Sequence, residues 1–363
     1  LYTDTLFMVD EASMISNLGL GGTTFGSGCL LDDLVHFVYQ GHNDRLMLIG
    51  DKAQLPPIGE EESPALHAAM LEGYGLSVYG CDLNEVLRQS EKSGILYNAT
   101  MIRQMITHDD ITQLPKIHFS GFSDIQQMPG AELIEALADS YHHVGLDDTI
   151  VVTRSNKRAN IFNQGIRNMV LDRDEELSQG DILMIVKNNY YWMEEERKKV
   201  SEERRVKSEE TAFGGRRESQ FNCLANHKVQ SSKFKVQSKE LPAFLANGDR
   251  AKVLRVRRRI DLYGFRFAPL LLQFPDYDNY ELEATVLLDT LTSEAPALTH
   301  EQQEQLFRQI EEDYQDIPLK ADRMKAIRQD QFFNALQVKF AYAVTCHKAQ
   351  GGQWAHVYVD QGY

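Results

Sequence analysis

Two short apolar runs each end abruptly in residues suited to phosphate chemistry. Leu6-Phe7-Met8-Val9 runs into the adjacent carboxylates Asp10 and Glu11. Leu46-Met47-Leu48-Ile49 runs into Gly50, Asp51 and Gln54, and Pro56-Pro57 then stops any continuation. A carboxylate beside a nucleotide phosphate can hold Mg²⁺ through water, and its neighbour can take a proton from attacking water. The Gln54 amide both donates and accepts, which suits a γ-phosphate or the water aimed at it. Singly, each residue has a plainer reading, since an Asp-Glu pair at a strand end is commonly solvated or capping.

To act together, these residues need two parallel strands side by side. A short apolar run with polar flanks is the pattern of a strand buried on both faces, and open α/β sheets bind ligands outside the carboxyl ends of their strands. The intervening chain supplies the connection. Gly19 to Gly28 is glycine-rich but lacks a preceding strand and the Lys-Ser/Thr ending of a phosphate loop, so it reads as a flexible loop. Leu30 to Tyr39 has helical apolar spacing. Strand, loop, helix, strand makes a parallel α/β unit.

Beyond it, Gly94 to Met105 and Pro129 to His143 read as helices. Thr149-Ile-Val-Val-Thr153 is a β-branched strand ending in a polar turn, and Ala159 to Arg167 continues as a helix. That pair is the first βα unit of a second domain. Gly180-Asp181 and Gly248-Asp249 each precede a strand, while Tyr263 to Phe274 and Tyr280 to Leu288 supply two more. Thr299 to Arg328 is helical and charged, Val338 to Thr345 reads as one alternating strand, and His356 to Val359 as the last.

One stretch breaks this order. Met193 to Glu210 is almost continuously charged, with Glu194/Lys198 and Glu195/Lys199 at helix-supporting spacing. Lys228-Val-Gln-Ser then recurs as Lys235-Val-Gln-Ser. So polar and repetitive a composition buries little surface, so 194–239 is expected to be an insertion, mostly disordered or a loose solvated helix. A basic nucleic-acid arm is the alternative, opposed by the near balance of Glu with Lys and Arg in its first half.

The chain has 363 residues, 42% apolar and 25% charged, which fits two or three soluble domains. It has no apolar run of about eighteen residues, so no membrane span is implied. Cys29, Cys81, Cys223 and Cys346 form no CxxC pair, which argues for free thiols in a reducing cytoplasm and against zinc. A net charge of −15 argues against a duplex-wrapping architectural protein, but less against one that grips a few nucleotides in a narrow basic channel.

Val9-Asp10-Glu11-Ala12-Ser13 followed by Gly50-Asp51-Lys52-Ala53-Gln54-Leu55-Pro56-Pro57 resembles motifs II and III of superfamily 1 helicases, and among them the RecD-like and Dda-like 5′→3′ DNA helicases. Leu83-Asn-Glu-Val-Leu-Arg-Gln-Ser90 is similar to motif IV. Thr345-x-His347-Lys348-x-Gln350-Gly351 is very similar to motif V and is the most specific match in the chain.

The resemblance implies an α/β fold of two RecA-like parallel-sheet domains, the first N-terminally and the second C-terminally incomplete, with an inserted small SH3-like β-barrel. The implied boundaries are 1–145 for the first domain, 146–178 with 336–363 for the second, and 179–335 for the barrel region. It further implies ATP and Mg²⁺ as cofactors and single-stranded DNA as partner. Asp10 would hold the metal, Glu11 activate water, Gln54 sense the γ-phosphate and Arg88 stabilise the transition state, with Gly50, Asp51, Gln350 and Gly351 also at the nucleotide. Thr153, Asn156, Thr345, His347 and Lys348 would contact DNA. Read without the family, Arg88 is a surface residue pairing with Glu85, and Ser155 or Asn156 caps a helix.

Two family features are missing from the sequence, the GxxxxGK[ST] phosphate loop and the Thr-Arg motif VI finger. The expectation is therefore a helicase fragment that does not hydrolyse ATP alone. The alternative, from another class, is a non-catalytic remnant or a DNA- or partner-binding module.

Overall fold

The computed structural model describes residues 2–19, 26–83, 93–107, 112, 114–214 and 242–362, with side chains omitted over 203–214. The chain divides into two units, Leu1–Gly130 and Ala131–Tyr363.

In the first unit, β1 (Leu6–Val9) and β2 (Arg45–Leu48) pair in parallel, from Leu6 opposite Arg45 to Val9 opposite Leu48. The connection contains α1 (Leu30–Tyr39), which buries Leu31, Val35 and Val38. A small core forms from Ala12, Ile15, Leu31, Val35, Ala65 and Leu71. The short α2 (Ala68–Glu72) contributes Leu71, and α3 (Gly94–Thr107) follows. Strand alternation turns Val9 and Leu48 toward this core while Leu6, Met8 and Met47 stay exposed. The expected burial on both faces therefore holds on one face among the described residues.

The second unit begins with α4 (Leu133–His143), β3 (Thr149–Thr153) and α5 (Asn156–Gly165), whose last turn widens into a π-helical turn over Ile166–Val170. Next come β4 (Ile182–Ile185), α6 (Tyr191–Gly214), β5 (Arg250–Val256), β6 (Ile260–Leu262), β7 (Phe265–Phe274) and β8 (Tyr280–Leu287). Helices α7 (His300–Asp313) and α8 (Lys320–Arg328) lead to β9 (Leu336–Phe340), β10 (Ala343–Thr345), the short α9 (Cys346–Ala349) and β11 (His356–Val359). A capping box starts α7, with Thr299 and Gln302 each bonding the other's backbone N–H.

Two sheets share one core here. Strands β10, β3 and β11 form a parallel sheet with β3 in the centre. The other strands run in the order β5-β4-β9-β8-β7-β6, and an additional β5–β7 pairing closes the ring into a small barrel-like sheet. Its pairs are antiparallel except β8 with β9. Ile150, Val151 and Val344 from the parallel sheet and Leu183, Val253, Leu270, Leu282 and Phe340 from the barrel belong to a single buried cluster. A second cluster, including Phe267, Leu306, Ile310 and Ile327, seats α7 and α8 on the barrel. The result is mixed α/β, with parallel sheets and a small barrel-like sheet.

Three details refine the expected picture. Helix α4 falls in the second compact unit, where it packs on the parallel sheet: the Tyr358 hydroxyl donates to the Ala136 carbonyl at 2.8 Å, and Ser140 Oγ meets both Tyr358 Oη and His356 Nδ1. Val338 to Thr345 is two strands in two sheets rather than one, since the backbone turns at Ala341-Tyr342 and leaves β9, and with it residues 336–340, in the barrel. The charged stretch from 194 runs on in α6 as far as Gly214, the helical one of the two forms expected for it, and is anchored by buried residues just before it. Trp192 and Met193 are buried, the Trp192 indole donates to the Asn334 carbonyl at 2.9 Å, and the Tyr280 hydroxyl donates to Glu196 at 3.1 Å. The repeats at 228 and 235 lie outside the described residues.

Candidate functional site

Each unit gathers its candidate residues at the carboxyl end of a parallel strand pair. In the first, Asp10 and Glu11 follow β1, and Gly50, Asp51 and Gln54 follow β2. The two strand ends are laced together, the Ile49 amide donating to Val9 and the Ala12 amide to Ile49, both at 2.9 Å. Gly50 is required by this closeness: a Cβ there would lie 2.9 Å from the Ser13 backbone nitrogen. Gln54 is held one turn beyond Asp51, donating its backbone N–H to the Asp51 carbonyl at 3.1 Å.

Asp10 and Glu11 are both exposed, and Asp10 Oδ1 accepts the Glu11 N–H at 2.9 Å. Glu11 has φ +52°, the left-handed region that non-glycine residues enter at a cost. Asp51 carries two loads: its Oδ1 accepts the Ala53 N–H at 3.0 Å, and its carboxylate forms a two-pronged pair with the Arg103 guanidinium from α3. Arg103 lies 52 positions away in sequence, and only the fold reveals the partnership. Arg88 lies outside the described residues.

Among the described residues, no group of three or more His, Cys, Asp or Glu side chains is placed to hold a metal ion. Mg²⁺ shared with phosphates commonly takes only one or two protein carboxylates and keeps its waters, so the exposed Asp10–Glu11 pair fits such an ion.

In the second unit, β3 and β10 run parallel with Thr153 opposite Thr345, so the two polar turns emerge side by side. Thr153 is buried, and its hydroxyl donates to the carbonyls of Ser155 and Val344 at 3.1 and 3.3 Å. Ser155 is the N-cap of α5, accepting the Arg158 N–H at 3.3 Å, and Asn156 occupies the first helical position. Thr345 is half-buried and makes no capping bond to α9. His347 and Lys348 sit in α9, followed by Gln350 and Gly351, whose φ of +79° suits only a glycine-like turn. The Lys348 ammonium contacts Asn247 Oδ1 in the turn before β5. Burial pushes the Lys348 ammonium below its usual range.

Residues 340–363 match the family model for the UvrD-like helicase C-terminal domain. This match supports a superfamily 1 helicase and covers β10, α9 and β11. No curated protein matches the chain in sequence.

Three features around this sheet escaped the sequence reading. After β11, Asp360 accepts Nε and Nη2 of Arg158 at 2.8 and 2.7 Å, and this pairing holds its carboxyl below the usual range. Asn163 of α5 clamps the β9–β10 crossover through four hydrogen bonds: its amide donates to the carbonyls of Phe340 and Ala343, and its oxygen accepts the N–H groups of Tyr342 and Ala343. Asp181 is fully buried between Arg167 and Arg173 and accepts the Tyr342 hydroxyl at 2.8 Å. A polar residue on the apolar face of a helix is the one hint that could have exposed Asn163.

Among the described residues, no helix is long and apolar enough to cross a membrane.

Proposed function

We propose that the chain carries motor elements of an ATP-dependent DNA helicase of the RecD-like type, built on two RecA-like domains with an SH3-like insert and moving 5′→3′ along single-stranded DNA in the cytoplasm. The observation that carries this reading is the parallel β3–β10 register, which brings the Thr345–Gly351 string, inside the helicase-matched segment, to a sheet's carboxyl edge.

Each residue then has a task its chemistry allows. Thr345 offers a hydroxyl, Lys348 a cation and His347 a ring to a strand's phosphates and bases. Asp10 would hold Mg²⁺ at the first unit's edge, where the ion would offset phosphate charge. Glu11 would accept a proton from attacking water, and Gln54 would read the γ-phosphate. Asp51, bound by Arg103, fixes the turn that carries Gln54.

The sequence holds no GxxxxGK[ST] string to cradle β- and γ-phosphates. The chain by itself is therefore expected to bind single strands without turning over ATP. The test pairs salt-dependent binding of a labelled oligothymidylate with DNA-stimulated phosphate release. Salt-sensitive binding with background hydrolysis is the expected result. Absence of binding overturns the DNA assignment and favours a non-catalytic module, and turnover by this chain overturns the assignment of nucleotide cradling to a phosphate loop it lacks.

A further inference from the structure

The turn that enters β5 touches the loop that follows β10, although the two are about a hundred residues apart in sequence. Asn247 is exposed, and its Oδ1 faces the Lys348 ammonium. We propose that Asn247 is a positioning residue for nucleic-acid binding, a barrel side chain that aims Lys348 at a backbone phosphate without neutralising it. The inference rests on the single-strand reading above and adds the barrel to the surface that makes the contact.

Three observations support it. First, Asn247 is itself fixed. Its N–H donates to Asn188 Oδ1 at 2.7 Å, the Gly248 N–H donates to the Ile185 carbonyl at 2.9 Å, and Asp249 accepts both the Ala246 N–H and the Tyr277 hydroxyl. A side chain carried on so constrained a turn can orient its neighbour at small entropic cost.

Second, the barrel and the loop cannot drift apart freely. The crossover from β9 to β10 is gripped by Asn163 on one side and by Asp181 through Tyr342 on the other. The register between Asn247 and Lys348 is thereby set by buried groups rather than by surface contacts.

Third, the chemistry of the partner matters. Lys348 is half-buried and has a second cation, Lys339, close enough to feel its charge. A carboxylate beside it would form an ion pair and cancel the attraction for phosphate. An amide oxygen accepts one N–H and leaves the positive charge whole. This distinguishes Lys348 from Arg158, whose guanidinium is matched by Asp360.

The experiment measures oligothymidylate affinity against salt for the full chain, Lys348→Ala, Asn247→Ala and Asn247→Asp, with a thermal midpoint for each. Losing one phosphate contact on a single strand lowers the slope of log affinity against log salt by about 0.7. Lys348→Ala and Asn247→Asp are each expected to show that drop, with affinity down roughly tenfold, or about 1.4 kcal/mol. Asn247→Ala should weaken binding a few-fold and keep the parent slope, because the charge remains but is no longer aimed. Neither Asn247 change should add to Lys348→Ala, and midpoints should stay at the parent value. If the parent chain binds and Asn247→Asp keeps its slope, the inference fails alone. If the parent chain binds no oligonucleotide, the DNA reading fails and takes this inference with it.

Discussion

Thr153 and Thr345 stand opposite each other in the parallel β3–β10 pair, yet their hydroxyls are committed differently. Thr153 donates inward to Ser155 and Val344, whereas Thr345 makes no cap to its own helix and remains at the edge. Matching side chains on adjacent strands thus divide into a structural threonine and a candidate contact. Thr153→Val should cost about 1 kcal/mol of stability by urea denaturation, the worth of a buried hydroxyl's bond, and leave oligothymidylate affinity unchanged. Thr345→Val should do the reverse, weakening binding up to about tenfold at unaltered stability. Equal effects of the two substitutions on binding would refute the division.

The crossover clamp makes the next prediction. Asn163 satisfies two carbonyls and two amides at a point where neither sheet can pair them. Asn163→Ala should therefore destabilise the second unit by roughly 2–4 kcal/mol, the range for breaking a buried hydrogen-bond network. Asn163→Asp should be no better, since its carboxylate would face the Phe340 and Ala343 carbonyls. A urea midpoint within error of the parent for either variant would show that water can replace the amide.

How far the sequence exposed this architecture depended on the range of the interactions. The strands and helices were readable because apolar spacing is local: Leu30–Tyr39 and the paired Gly-Asp strands appear in the fold much as their periodicity indicates. The edge residues were readable too, since Asp10, Asp51 and Thr345 each end an apolar run. Invisible were the partners that decide what those residues can do. Arg103 on Asp51, Asn247 on Lys348 and Asp360 on Arg158 all arrive from distant parts of the sequence, and no periodicity points to them. The break at Ala341-Tyr342 was hidden for a different reason. Both strands are buried and apolar, so nothing in their pattern marks where the chain leaves one sheet for the other.

A pH effect should trace to Lys339. Burial, and secondarily the positive charge of Lys348, lower its ammonium from 10.5 to about 8, while its N–H groups donate to the Thr290 and Ser293 carbonyls. Between pH 8 and 10.5 the unfolded chain holds more protons on this group than the folded one, so its contribution to stability rises with pH across that window. Below pH 8 the full penalty of a buried cation applies. Subtracting the urea-derived stability of Lys339→Met from that of the parent should give a difference that climbs from pH 8 to 10.5. A flat difference would mean that the carbonyls hold the charged form as well as water does.

The last prediction concerns Glu11 and the strain it carries. Its φ of +52° puts a residue with a Cβ into the left-handed region, which costs an L-residue roughly 1–2 kcal/mol. Its carboxylate makes no hydrogen bond or ion pair that would repay this cost among the described residues, although the Ala12 N–H beyond it is bound to Ile49 and holds the turn in place. Glycine would relieve the strain, at a smaller cost in unfolded-state entropy of about 0.4–1 kcal/mol. Alanine would keep the strain and lose only the carboxylate. Glu11→Gly should therefore be as stable as the parent or up to about 1 kcal/mol more so, with Glu11→Ala no better than the parent. Backbone strain of this kind clusters at functional sites, which is consistent with the role of water activation proposed for Glu11. Chemical denaturation of the three proteins separates the cases. If alanine proves as stable as glycine, the left-handed turn is not strained and the argument from strain to use collapses.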